Sequence, residues 1–475
     1  MNIDKKNESG KSGRKSSTAD LTAVQLLDAY RSKRLSPVEV VEDVIARIET
    51  CEPHLNAMWA LDHDAARAAA RQSEARWMKG VAVGALDGVP ITIKDNIATR
   101  GAPTPLGTAA VPLVPAAEDG PSAARTREAG AVLVGKTTMP DYGMLSSGLS
   151  TFHKLARNPW NLETNPGGSS AGAGAAAAIG YGPLHLGSDI GGSVRLPAGW
   201  CGVVGFKPSF GRVPVDPPYI GRVVGPMTRT VADAALLMSV ISLPDGRDTM
   251  SLPYQEIAWN DLEMKARNVR IAMLLDAGAG TPTEPQVRAA IEAAAETFRS
   301  VGFTIDLIEP YMTEDMLEGL NRFLRTRSWL AVSKLSDADR EKVLPWIREW
   351  VAPAGAYSGE DVFTGFSQVD ASREAILGAM KSYDYMVSPV ASMSSFPAQW
   401  ASPNNDPTRA FDHVAFTIAG NMSGQPSISI NCGYAADGAP IGLQITGQRY
   451  DDLGVLRMAS LYERIRPQQR PWPML

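Results

Sequence analysis

Cysteine is scarce in this 475-residue chain. Cys51, Cys201 and Cys432 are odd in number and widely separated. That spacing excludes a disulfide framework and fits a reducing cytoplasm. Cys201, beside the apolar pair Val203-Val204, reads as a buried structural thiol without a basic partner to activate it. Histidine is scarce too: His54, His63, His153, His185 and His413 are scattered. No pair has the His-Glu-x-x-His spacing of a metal site, so no metal is implied, and no histidine suggests a Ser-His-Asp triad. His185, on an expected strand, reads as a satisfied core residue. Positive charge is not in excess; the net charge of −5 argues against a nucleic-acid surface. No run approaches eighteen apolar residues, so no transmembrane helix is expected. Residues 1–20 are nearly devoid of apolar side chains and read as a disordered tail; no apolar stretch follows the basic residues, unlike a signal peptide.

What is present can build a large core. Apolar residues make up 44% of the chain and charged residues 20%, ordinary values for a globular protein. From Leu21 to about Arg76 the pattern is helical. Ser36-Pro-Val-Glu39 predicts a capping box with proline in the first turn, and Asp62–Trp77 an alanine-rich helix. From Val89 to Val240, short β-branched runs alternate with helices, which predicts an α/β sheet. Val269–Leu275, a helix around Gln286–Ser300 and Phe303–Leu307 read as a β-α-β unit. About 311–382 is helical and carries Trp329, Trp346 and Trp350. There is no repeat and no obvious linker. The expectation is one large α/β domain over 21–475, with a central mixed sheet flanked by helices and a variable helical insertion at about 311–382.

Two glycine-rich segments carry serines: Asn165-Pro-Gly-Gly-Ser-Ser-Ala-Gly-Ala-Gly174 and Gly187-Ser-Asp-Ile-Gly-Gly-Ser-Val-Arg-Leu-Pro197. Glycine lets a backbone approach a reacting group and turn its amides inward. The second segment could therefore offer a hydroxyl and several N–H donors to one oxyanion. Either segment alone is more often an ordinary loop. Upstream, Val89, Ile91 and Ile93 alternate with Pro90, Thr92 and Lys94, a strand of period two. A lysine there ordinarily snorkels to the surface; in a central strand it would be desolvated and become a usable base. The pattern leaves both open.

A resemblance carried by these segments decides between them. The chain resembles the amidase signature family of serine hydrolases through the lysine strand, Ala129–Thr137, Arg157-Asn-Pro-Trp160, both serine segments, Gly202–Pro208 and, more weakly, Pro440–Ile445. Lys94 precedes Ser169 by 75 positions and Ser169 precedes Ser193 by 24, which fits that family. The resemblance implies Ser193 as nucleophile, Ser169 as proton relay on a cis peptide bond and Lys94 as base. It implies an oxyanion hole from the amides of Ile190, Gly191, Gly192 and Ser193, and Gly143 and Met144 at the acyl pocket. Ala171 stands where the family has Gly or Ser. Ser170 could hydrogen-bond within the site; Asp189 and Arg195 read as an ion pair fixing the loop, and Lys136 and Lys207 as structural.

The implied activity is hydrolysis of carboxamide C–N bonds through an acyl-serine, without a cofactor. The tryptophan-rich insertion points to aryl or hydrophobic amides, with esters and carbamates open to the same chemistry. The expected partners are a small amide and water, neither nucleic acid nor membrane, in a cytoplasmic monomer or homodimer. The alternative is the glutamine-hydrolysing subunit of a tRNA-dependent amidotransferase, which shares all three elements. Gly172–Ala177 satisfies G-x-G-x-x-A, but no strand precedes it, which argues against dinucleotide binding.

Overall fold

The computed structural model describes residues 17–265 and 267–475. The tail expected over 1–20 lies outside the described residues as far as residue 16. Thr18–Asp20 instead form a 3-10 turn capped by Ser17, and Asp20 pairs with Arg47 and Arg229 at 2.5 and 2.9 Å. A polar segment is held here by two distant arginines, which local composition does not encode. The N-terminal helices follow their caps. Ser36 and Glu39 form the capping box of Pro37–Leu55, and Asp62 caps His63–Lys79.

Among the described residues, eleven strands form one mixed sheet: β1 (Met58–Trp59), β2 (Pro90–Lys94), β3 (Val132–Thr137), β4 (Leu184–Asp189), β5 (Val204–Lys207), β6 (Val223–Thr228), β7 (Arg270–Met273), β8 (Thr304–Leu307), β9 (Tyr385–Pro389), β10 (Ser427–Tyr434) and β11 (Pro440–Gly447). Their spatial order is β1-β3-β2-β4-β6-β5-β10-β11-β9-β7-β8. β7 and β8 are parallel around the helix Pro285–Arg299, the expected β-α-β unit. All three cysteines are buried and unpaired. Among the described residues no helix is long and apolar enough to cross a membrane.

Register places the site. β2 lies between β3 and β4, parallel to both, so Lys94 and Asp189 end their strands on one edge of the sheet. Ligands in such sheets bind beyond the carboxyl ends of the strands. β6 runs antiparallel to β4 with Asp189 opposite Val223, which brings Arg222 to that edge. Both serine segments run straight into helices. Ala171–Ile179 is wholly buried; alanine's high helix propensity and small volume suit a helix packed on all sides. Arg195–Cys201 follows Ser193 and is also buried. The helices Glu314–Val332, Asp337–Arg340, Pro345–Val351 and Gly359–Ala379 lie between β8 and β9, and the first and third of them reach over the same edge.

Candidate active site

Lys94 does not snorkel. Its side chain is fully buried, and its Nζ lies 2.8 Å from Ser169 Oγ, 3.0 Å from Ser170 Oγ and 3.1 Å from Ser188 Oγ. Burial, and then the charge of Arg222, lower its pKa to about 7; Asp189 and Asp95 oppose the shift. Half the lysine is therefore neutral near pH 7.

The hydrogen bonds around Nζ admit an orientation of that neutral amine in which Ser188 turns its own hydrogen to Asn96 Oδ1, 3.4 Å away. Ser170 Oγ is 3.2 Å from Ser188 O, a pure acceptor, so the Ser170 hydroxyl donates there and accepts from Lys94. Ser188 Oγ accepts from Asn96 Nδ2 at 3.0 Å and from Lys94. A neutral amine has two N–H groups and one lone pair. With both N–H groups directed at Ser170 and Ser188, the lone pair is left facing Ser169, whose hydroxyl can donate or accept. The predicted hydrogen-bonding role of Ser170 is thus met.

The Gly168–Ser169 peptide bond is cis. Ala171 is the first residue of its helix and has no positive φ. The substitution that departs from the family pattern therefore sits in a conformation alanine adopts freely. Gly172–Ala177 lie inside the same helix rather than in a strand-to-helix turn, which removes the geometry a dinucleotide site needs.

The Ser193 loop is held from behind by a fully buried ion pair. Arg195 Nε and Nη2 each donate to Asp189 at 3.0 Å. The remaining guanidinium hydrogens reach Thr417 O, Gln444 Oε1 and Asn421 Oδ1 at 2.9, 2.8 and 2.6 Å. Burial would raise the Asp189 pKa, but the charge and hydrogen bonds of Arg195 hold it well below the usual carboxylate range. The loop-fixing role read for this pair is what the geometry performs.

One amide assigned to the oxyanion hole is otherwise engaged. Gly192 N–H donates to Asp189 Oδ1 at 2.8 Å. The amides of Ile190, Gly191 and Ser193 have no hydrogen-bond partner among the described residues. Asp189 accepts several donors as the loop folds around it, and Gly192 supplies one. Gly192 has φ +129°, and a Cβ there would meet Thr417 Oγ1 at 2.6 Å and Leu196 Cδ1 at 2.8 Å.

Ser169 and Ser193 share the wall of a cavity of about 470 Å³ with Gly143, Met144, Tyr142 and Arg222. A second chamber of about 70 Å³ adjoins Ser193 and is lined by Trp346, Trp350, Phe411 and Met144, among others. Gly143 and Met144 therefore border both spaces. Tyr142 sits between them with φ +53°, a left-handed backbone uncommon for an aromatic residue. Buried Asp141 accepts from Thr151 N and from Leu344 N at 2.8 and 3.1 Å, tying the wall to the helical segment. Trp329 packs in the same apolar cluster as Trp346 and Trp350, close to Gly355, but lines neither cavity.

Three residues near the site gave no sequence signal: Arg222, Arg327 and His413. Arg222 and Arg327 line the larger cavity. His413 lines the smaller one, buried, with neither ring nitrogen bonded; burial lowers its pKa to about 3, so it is neutral. His185 is a core residue, bonded to Thr92 Oγ1 at 2.8 Å and Gly182 O at 3.0 Å. Lys136 and Lys207 are buried on backbone carbonyls of Ile97 and Gln425. Among the described residues no group of three His, Cys, Asp or Glu is arranged to hold a metal ion.

A lysine–serine cluster thus lies at the carboxyl edge of a mixed sheet, beside a cavity bearing a second serine. The chain matches the family model described as Amidase over residues 39–456. It is 33% identical over 474 residues to a glutamyl-tRNA(Gln) amidotransferase subunit of Anaeromyxobacter sp. (strain K), covering 91% of this chain and 94% of that one. It is 32% identical to an acylamidase of Rhodococcus erythropolis, covering 94% and 96%. A solved bacterial aryl acylamidase of the amidase signature family superposes with a TM-score of 0.87 at 30% identity, over 94% of this chain and 96% of that one. The chain belongs to the amidase family and is a hydrolase of amide C–N bonds.

Proposed function

We propose that Ser193 attacks the amide carbonyl, Ser169 relays the proton and Lys94 is the base. The observation that carries this reading is the buried Lys94 amine, brought to a pKa of about 7 and 2.8 Å from Ser169 Oγ. A serine hydroxyl needs a neighbour to accept its proton before it attacks. As the Ser193 Oγ–C bond forms, the Ser193 proton passes to Ser169 Oγ and the Ser169 proton to Lys94 Nζ. The carbonyl electron pair collects on oxygen, facing the free amides of Ile190, Gly191 and Ser193. Collapse of this intermediate breaks the C–N bond, and Lys94 returns the proton through Ser169 to the leaving nitrogen. Water repeats the sequence on the acyl-serine and releases the acid.

The substrate reading is an aryl or hydrophobic amide, with esters and carbamates sharing the intermediate. Trp346, Trp350 and Phe411 beside Ser193 support it, because aromatic walls favour apolar, flat groups. The helical segment over 311–382 serves in this reading as the substrate-selecting part of one domain spanning 21–475. The protein acts in the cytoplasm on a small molecule, without nucleic acid or membrane, as a monomer or homodimer. If Ser193→Ala and Lys94→Ala each retained full turnover of an anilide that the wild type cleaves, the assignment would be wrong.

The relationship to the tRNA-dependent amidotransferase protein of Anaeromyxobacter supports a second reading, ammonia release from glutamine within a complex. A coupled glutamate assay separates the two. The first reading expects turnover of apolar anilides by the isolated chain in excess of glutamine turnover, and the second expects the reverse once partner proteins are added.

A further inference from the structure

Two guanidinium groups face the larger cavity, and neither has a carboxylate of a described residue within ion-pair distance. Arg222 donates only to the Pro217 carbonyl, at 3.2 Å. Arg327 lies over the ring of Tyr219, 4.1 Å from its centroid. Neither forms an ion pair with a described residue, although both are drawn in from solvent. The contrast with buried Arg195 and Arg212 is informative, because each of those has its aspartate at 3.0 Å. Asp216 shares the cavity wall but is exposed and lies outside ion-pair distance of both arginines. Burial and the nearby charge of Arg327 bring the Arg222 pKa down to about 10, with the Asp216 charge opposing; burial lowers that of Arg327 as well, and two guanidinium groups so placed repel each other.

Their placement ties them to the reacting atoms. Arg222 directly precedes Val223, which pairs with Asp189 at the root of the Ser193 loop. Arg327 projects from the middle of Glu314–Val332 and borders both the larger cavity and the smaller chamber. Tyr219 braces Arg327 and also stacks on Phe323, one turn earlier on that helix. Two partly desolvated, pre-positioned forks are suited to a planar anion, because guanidinium matches carboxylate in two parallel hydrogen bonds.

We propose that Arg222 and Arg327 form a carboxylate-recognition site, so that the amides turned over best carry a carboxylate within the same cavity as the scissile bond. The inference rests on the amidase reading of Ser193 and narrows its substrate class. The apolar chamber takes the uncharged part of the substrate, and the arginine pair takes its anionic end. In this arrangement both arginines act as substrate-binding groups, and neither exchanges a proton.

Two matched pairs of anilides test it with the full chain. Succinanilate and butyranilide differ by a carboxylate on the acyl side; para-acetamidobenzoate and para-methylacetanilide differ by one on the amine side. The expected result is a kcat/KM preference of about tenfold or more for the anionic member of at least one pair, as charge-assisted binding gives. That preference should shrink with added sodium chloride and collapse toward unity in Arg222→Met and Arg327→Met. If either variant misfolds, the wild-type ratio and its salt dependence still decide. Hydrolysis of neutral anilides with equal or lower rates for the anionic members of both pairs would overturn the carboxylate site and leave the amidase reading standing. No turnover of any of the four would overturn the amidase reading, and the carboxylate site with it.

Discussion

The neutral fraction of Lys94 should govern the pH profile, because only the free amine can accept a proton from Ser169. Its pKa of about 7 sets the magnitude. About one molecule in ten carries the neutral amine at pH 6 and about nine in ten at pH 8. The assay is kcat/KM for an anilide from pH 5.5 to 9.5, at constant ionic strength. Rate should rise about tenfold from pH 6 to pH 8 and then level, since protonation removes the base. Arg222→Met should move the rising limb to higher pH, because Arg222 helps to lower the Lys94 pKa. Asp95→Asn should move it to lower pH, because Asp95 opposes that shift. A profile flat between pH 6 and 8, or one still climbing tenfold per unit at pH 9, would refute the reasoning. The second result is what a solvated lysine near 10.5 would give.

Other expectations follow from single contacts. Ser169→Ala should lower kcat by roughly 10²- to 10⁴-fold, the usual range for a lost proton-transfer group; circular dichroism should stay native. Gly192→Ala forces a Cβ into Thr417 and Leu196 at a positive φ. By displacing the loop that carries the free amides of Ile190, Gly191 and Ser193, it should cut kcat by roughly 10²-fold or more, the loss typical of one misplaced oxyanion donor, measurable by steady-state kinetics. Asp189→Asn leaves Arg195 buried with its charge uncompensated. It should cost roughly 3–5 kcal/mol of stability in denaturant unfolding; an unchanged midpoint would dismiss the pair as the anchor of the loop.

Much of the site was legible because its signals are local. Glycines flanking Ser169 and Ser193 reveal close backbone approach, and Lys94 on an alternating apolar strand marks a lysine that is either exposed or chemically altered. Ser36 and Glu39 predict a cap within four residues of chain. The β-α-β unit at Val269–Leu307 likewise follows from periodicity. The illegible features depend on tertiary partners. Gly192 looks like any other loop amide until Asp189 turns back to accept its hydrogen. Asp20 reads as part of a polar tail until Arg47 and Arg229 are brought to it. Arg222 and Arg327 resemble ordinary charged residues in sequence; only the antiparallel register of β6 and the docking of Glu314–Val332 place them on one cavity. The substrate class was correspondingly the least readable property, since its walls come from segments far apart in the chain.

The central claim is that Ser193 carries the acyl group. Rapid acid quenching of the enzyme during turnover of a slow activated ester, followed by peptide mapping with fragmentation that resolves Ser193 from Ser169 and Ser170, tests it directly. The account predicts the acyl mass on Ser193 and its disappearance in Ser193→Ala. An acyl group on Ser169 or Ser170, or full turnover by Ser193→Ala, would contradict it.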